Sequence, residues 1–313
     1  MRRHVKSLWL ASMLALAAAP EAGAHPHEPP LSNYETKLQR LNAVGWQLVR
    51  GNADYCANTR MAAGWVLNDA LTYSEAPLVE RQRGAAIWIA AIAPNGPAAQ
   101  AGLARNDIPL AVGSVALQDI AAGDTVWQRL LDADMALARV LSENPVDVTF
   151  RRDGVSRQAF LVGQRVCTAD FEVRADDDDA IADRRRVILG EDFVGFAWGD
   201  ERLAAIVAHE LAHVLLGHDS RGKSRNDIRK MEREADVLMP WLLANAGYPP
   251  ELAADAMAQW GSDHEPRFAF ARKHDRWPQR VAAIETEIAV IKRWQSEGRA
   301  LDWRKRLAER EAS

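Results

Sequence analysis

The sequence predicts an α+β protein. A mainly helical C-terminal domain follows a small inserted module of strands and one helix, itself preceded by an N-terminal helix. Three observations carry this prediction. Apolar residues recur at helical spacing before residue 51 and again from about residue 200 onward. Between residues 57 and 167 the texture changes to short strand-like runs separated by Gly, Pro, Asn and Asp. Cys56 and Cys167, the two cysteines of the protein, bracket that stretch. With 313 residues the protein is long enough for more than one domain with its own core. Its formal net charge of -4 offers no basic surplus for a polyanionic partner, so nucleic-acid binding is not expected.

The first 24 residues read as a secretory signal peptide. "MRRHVK" is basic, "SLWLASMLALAAA" is apolar, and Ala22-Gly23-Ala24 fits a small-residue cleavage site. No cysteine follows that site to take a lipid, and no later run is long and apolar enough to span a bilayer. The expectation is an exported protein, in a bacterial periplasm, with no membrane span after cleavage. In an oxidising compartment Cys56 and Cys167 read as one disulfide.

The segment 25–56 holds an amphipathic helix expected to pack on the later domain. Ser32 with Glu35 makes a capping-box pattern, and Leu38, Leu41, Val44 and Leu48 then recur at helical spacing up to about Gly51. In 57–167, residues 64–68 and 84–94 read as strands, 95–117 as a turn-rich stretch and 125–141 as a helix. Residues 146–162 alternate around Asp153-Gly154, a hairpin signal. "APNGPAAQAGLARND" (93–107) resembles the bacterial PDZ-domain pattern, with Asn106 where a Gly is usual and Asp107 kept. The later helix and hairpin follow in the order such a domain needs. The resemblance implies a PDZ-like β-barrel/α module whose groove takes a peptide or the C-terminus of another protein. A disulfide between Cys56 and Cys167 would pin its two ends together.

The domain from 168 to 313 begins with an acidic run, Asp176 to Asp179, read as a solvated turn because it lacks calcium-loop spacing. Residues 184–189 read as a strand. A helix then starts near Asp200 and ends near Gly217, and three more are expected at 232–248, 249–261 and 279–294. Within the first of these helices, His209 and His213 are four residues apart, so both rings lie on one face. Two imidazoles in that arrangement can share a zinc ion. Glu210, about 100° round the helix, can act as base on a water there without taking a ligand position. A catalytic zinc needs a third ligand, and Glu232 is the candidate. Glu232 and Asp236 are also four apart, and Asp236 is placed to accept a hydrogen bond from the outer N–H of a ligand imidazole. Glu234 points elsewhere on the helix and is the weaker ligand candidate.

"HELAH" (209–213) followed by "EREAD" (232–236) resembles the HtpX/BepA-like gluzincin metallopeptidases, the group that includes the CAAX prenyl endopeptidases. The resemblance runs from about 168 to 296. It implies a zincin-type domain with one Zn2+ per molecule on His209, His213 and Glu232, and Glu210 as general base. It also implies a strand near 179–189 as the edge that holds an extended peptide. In "KHDRWPQRVAAIE" (273–285), His274 and Arg280 keep the family's spacing, while Asp275 stands where the family has Pro. The resemblance places His274 and Arg280 near the metal, steadying the developing oxyanion. Polypeptides are then the substrates and envelope protein quality control the expected role.

Two other readings stay open. The protein could act as a latent or non-proteolytic peptide-binding, chaperone-like factor through its PDZ-like module. The segments 218–231 and 261–278 are long enough to cover a metal site in that case. A purely structural zinc site is the other, although such sites favour four Cys or His ligands and have no use for Glu210. His218, past the helix end, is not needed as a ligand. His264 reads as solvated, and His25 and His27 as parts of a mobile tail.

Overall fold

The computed structural model describes residues 32–69, 87–121, 124–125, 128–143, 145–175, 177–264 and 275–312. The expected signal peptide, His25, His27, Asp176, the start of the 84–94 strand and His274 lie outside them. So does most of the 261–278 segment.

Helix α1 (Asn33–Gly51) starts with the expected capping box: Ser32 Oγ accepts from Glu35 N and the Glu35 carboxylate accepts from Ser32 N. Leu38, Leu41, Val44 and Leu48 are buried. The helix packs closely, because a Cβ at Gly45 would stand 2.6 Å from the Phe171 ring. At its end Asn52 is fully buried and its side chain donates to Leu48 O and Leu242 O.

The middle of the protein runs β1 (Thr59–Ala62), β2 (Trp65–Asp69), β3 (Ile87–Ile92), α2 (Pro97–Gln100), β4 (Ile108–Val112), β5 (Val115–Ala116), α3 (Gln128–Leu141), β6 (Val146–Arg152), β7 (Val155–Leu161) and β8 (Gln164–Cys167). β2 pairs antiparallel with β3, and a second sheet has the order β5-β4-β6-β7. The β6-β7 hairpin turns through Asp153 (φ 51°) and Gly154 (φ 78°), the two positive φ values that a two-residue hairpin of matching twist requires. Asn106 also sits in the left-handed region (φ 70°), which Asn adopts more readily than most residues other than Gly. Asp107 ties that turn down by accepting from Ala104 N and from Arg152. β1 and β8 form an antiparallel ribbon in which Thr59 faces Cys167, and the Cys56–Cys167 disulfide closes it.

The last part runs β9 (Asp170–Arg174), β10 (Ala180–Asp183), β11 (Arg186–Gly190), α4 (Asp200–Leu216), α5 (Arg225–Asn245), α6 (Leu252–His264), α7 (Trp277–Ser296) and α8 (Trp303–Glu311). The sheet order is β10-β11-β9, with β10 antiparallel and β9 parallel to β11. The strand expected at 184–189 is β11, which starts at Arg186, whereas the edge expected near 179–189 is two strands rather than one. Arg184 takes φ 56° and turns the backbone, so Ala180–Asp183 and Arg186–Gly190 form a hairpin. The 218–231 segment is not all loop either. Ser224 and Asp227 make a second capping box, and α5 begins at Arg225, about two turns before the expected start.

Two apolar cores result. One joins α1, β9, β11 and the helices α4 to α8; the other lies among β2 to β7 and α3. β3 serves both: Ile87 and Ile89 enter one core and Trp88 and Ala90 the other. That is why its sequence reads as a continuous apolar run rather than an alternating one. The whole is a mixed α/β fold of several helices and small β-sheets. Among the described residues no helix is long and apolar enough to cross a membrane.

Candidate metal centre

Helix α4 buries Leu203 to Ala208 and carries His209 and His213 on successive turns of one face. Gly217 ends it in the left-handed conformation (φ 68°), with Gly217 N donating to Val214 O and His218 N to His213 O. Helix α5 packs against α4 and presents Glu232 and Asp236, again one turn apart. The Nε2 atoms of His209 and His213 stand 3.3 Å apart. Glu232 Oε2 is 3.4 Å from the first and Glu232 Oε1 is 3.5 Å from the second.

These separations test the fit to a metal. Ligands about 2.0–2.1 Å from a tetrahedral zinc are separated from each other by about 3.3–3.4 Å. Two bare imidazole nitrogens facing each other beside a carboxylate also form a concentration of lone pairs, which only a cation or a proton between them can relieve. His209, His213 and Glu232 are thus a donor set that could coordinate a metal ion.

The surroundings support the three candidate ligands. Asp236, 1 % exposed, accepts from Arg280 Nε and Nη2, both at 2.7 Å. Its Oδ1 also faces His209 Nδ1 at 3.4 Å, longer than an ordinary hydrogen bond. Arg280, on α7, is buried as well, and its Nη2 lies 3.5 Å from Glu232 Oε2. The Arg280 guanidinium is therefore held by Asp236 and leans on Glu232. Glu210 is half-buried and accepts a hydrogen bond from the Ala182 backbone of β10, which brings the outer strand of the small sheet to the edge of the site.

Charges at the metal-free site follow from this crowding. Burial works to lower His209, but the carboxylates of Asp236 and Glu232, each 3.4 Å from one of its nitrogens, outweigh it and raise the ring to about 10. Burial and the neighbouring His209 charge push His213 down to about 3. Burial raises the Glu210 carboxyl to about 7, against the lowering effect of His209. Burial opposes ionisation of Asp236, yet the Arg280 charge prevails and holds it below the usual carboxylate range.

His218, not needed as a ligand, and Glu234, the weaker ligand candidate, also reach the site. His218 Nδ1 lies 2.9 Å from His213 Nδ1, and His218 Nε2 lies 3.1 Å from Glu234 Oε2. The signal for them is the glycine cap, which returns the backbone beside the last turn of α4. His274 is outside the described residues, whereas its neighbour Asp275 pairs with Arg233 of α5. Of the acidic run, Asp177 to Asp179 are described and form an irregular connection into β10, in which Asp177 accepts from Asp179 N and pairs with Arg174.

No family model matches the sequence, and no curated protein matches it.

Proposed function

We propose that the protein is a zinc-dependent endopeptidase that hydrolyses peptide bonds in extended or misfolded polypeptides. The observation that carries this is the trio of His209, His213 and Glu232, mutually 3.3–3.5 Å apart, with Glu210 beside them. Two nitrogens and one carboxylate form the donor set of catalytic zinc sites, which keep a fourth position open. Zinc bound there supplies Lewis acidity and lowers the pKa of a water.

The remaining chemistry belongs to the side chains. Glu210 takes the proton of the attacking water and passes it to the leaving amine nitrogen. Arg280 brings a buried positive charge beside Glu232, suited to steadying negative charge on the carbonyl oxygen. His274 shares that task on the ground of the HtpX/BepA-like resemblance alone. β10 is hydrogen-bonded to β11 on one side and runs beside α4 and Glu210 on the other, which supports its use as the strand that pairs with an extended substrate. Backbone pairing of this kind reads little sequence, so broad specificity follows.

The proposal extends to architecture and setting. The strands between the two cysteines form a PDZ-like module inserted ahead of a zincin-type domain, with a peptide or a polypeptide terminus as its ligand. The Cys56–Cys167 bridge supports an oxidising, exported compartment such as a bacterial periplasm, where envelope protein quality control is the role. Casein cleavage followed with and without 1,10-phenanthroline tests the activity. Loss of cleavage with the chelator and recovery on adding zinc is expected. Cleavage indifferent to the chelator, or none by the zinc-loaded protein, would overturn the proposal.

A further inference from the structure

We infer that His218 and Glu234 are positioning residues for His213: a one-way hydrogen-bond relay that fixes its tautomer and aims its Nε2 at the metal. The inference rests on the metal reading above and adds to it.

The geometry is built by the end of α4. The left-handed Gly217 turns the backbone so that His218 N donates to His213 O at 3.0 Å. The two rings then meet nearly edge to face, with centroids 5.0 Å apart and planes at 70°. His218 is largely enclosed and its two ring nitrogens have separate neighbours, His213 Nδ1 at 2.9 Å and Glu234 Oε2 at 3.1 Å. Glu234 lies on a different face of α5 from Glu232, so the two carboxylates of "EREAD" reach α4 at different points.

The direction of the relay follows from the carboxylate. Ionised Glu234 only accepts, so His218 Nε2 carries the hydrogen and donates it. Neutral His218 then has a bare Nδ1. Two bare nitrogens 2.9 Å apart would repel, so His213 Nδ1 carries the hydrogen between them. Neutral His213 is thereby left with a bare Nε2, the atom that faces His209 and Glu232. Lys230 Nζ lies 3.7 Å from Glu234 Oε1, at the end of the relay. His209 is supported differently, by Asp236 facing its Nδ1 directly. The two ligand imidazoles therefore have unequal supports, one wholly buried and one that ends on a partly exposed glutamate.

Zinc affinity measured by competition with a chromophoric chelator tests the relay, using His218→Ala, His218→Asn and Glu234→Gln. Loss of such an outer partner typically weakens metal binding about 10–100-fold, the loss expected for His218→Ala. Glu234→Gln keeps an acceptor and loses its charge, so a smaller loss is expected. In His218→Asn the side-chain oxygen occupies nearly the place of the ring Nδ1 and can accept from His213. Its affinity should fall between wild type and His218→Ala. Simple packing would leave Asn no better than Ala, since both lack the ring. The visible spectrum of the cobalt-loaded protein should shift in His218→Ala and return towards wild type in His218→Asn. Unfolding midpoints of the metal-free variants close to wild type show that each is folded. A wild type that binds zinc, with His218→Ala within about threefold of it, would overturn the relay alone. A wild type that takes up no zinc would overturn the metal reading and the relay with it.

Discussion

Asp236→Asn keeps the shape of a buried side chain and removes one charge. Both Asp236 oxygens accept from Arg280, each at 2.7 Å, and neither residue has appreciable access to water. Asn offers one acceptor in place of two, and its amide N–H turns toward a guanidinium that can only donate. The Arg280 charge is left buried with Glu232 at 3.5 Å as its remaining counter-ion. Breaking a buried pair from one side costs about 3–5 kcal/mol, and the surviving Glu232 contact places the expected loss near the lower end, about 3 kcal/mol. Urea unfolding of the metal-free protein at neutral pH measures it. Removing the orphaned cation as well, in Asp236→Asn/Arg280→Met, should recover most of the loss, because the penalty comes from the unpaired charge rather than from a missing attraction. A loss under about 1 kcal/mol, or a double variant less stable than the single one, would refute this reasoning.

Other predictions follow from the same kind of contact. Glu287 is fully buried and accepts from Trp241 Nε1, Arg306 and Arg310, so it fastens α8 to α5 and α7. Burial opposes its ionisation, but the Arg306 and Trp241 hydrogen bonds prevail and hold its pKa below the usual glutamate value. A depressed carboxylate contributes stability above its unfolded pKa of about 4.3 and loses it as pH falls through the folded value. Glu287→Gln should therefore destabilise at pH 7, with the gap to wild type closing below about pH 4; a gap constant with pH would contradict this. The Cys56–Cys167 bridge spans a sequence separation of 111 residues. Replacing both cysteines by Ser should cost up to about 4–5 kcal/mol in the chain-entropy model, and unchanged urea unfolding would count against that closure.

Much of the candidate site was legible because it is local. The i, i+4 spacings of His209 with His213 and of Glu232 with Asp236 each put two groups on one helix face, whatever surrounds the helix. The Ser32–Glu35 cap and the Asp153-Gly154 turn were legible for the same reason. The first two turns of α5 carried the same Ser-x-x-acid signal at Ser224 and Asp227, masked by the polar run that follows it. What was not legible depends on contacts between distant segments. β1, β8 and β9 are four or five residues long, and their pairing is set by the ribbon and the sheet they join. α8 is strongly polar and is held by buried Trp303 and the arginine contacts to Glu287. The Asp236–Arg280 pair joins residues 44 apart, and the His218–Glu234 contact needs both the glycine cap and the packing of α4 on α5.

The most direct test of the central claim sets wild type beside Glu210→Gln and measures zinc content and casein cleavage on the same preparations. Glu210 lies beside the proposed ligands His209, His213 and Glu232 without being one of them, so on this account both proteins should hold one zinc and only the wild type should cleave. A wild type without zinc, a zinc-loaded wild type that does not cleave, or a Glu210→Gln variant that cleaves at the wild-type rate would contradict the account.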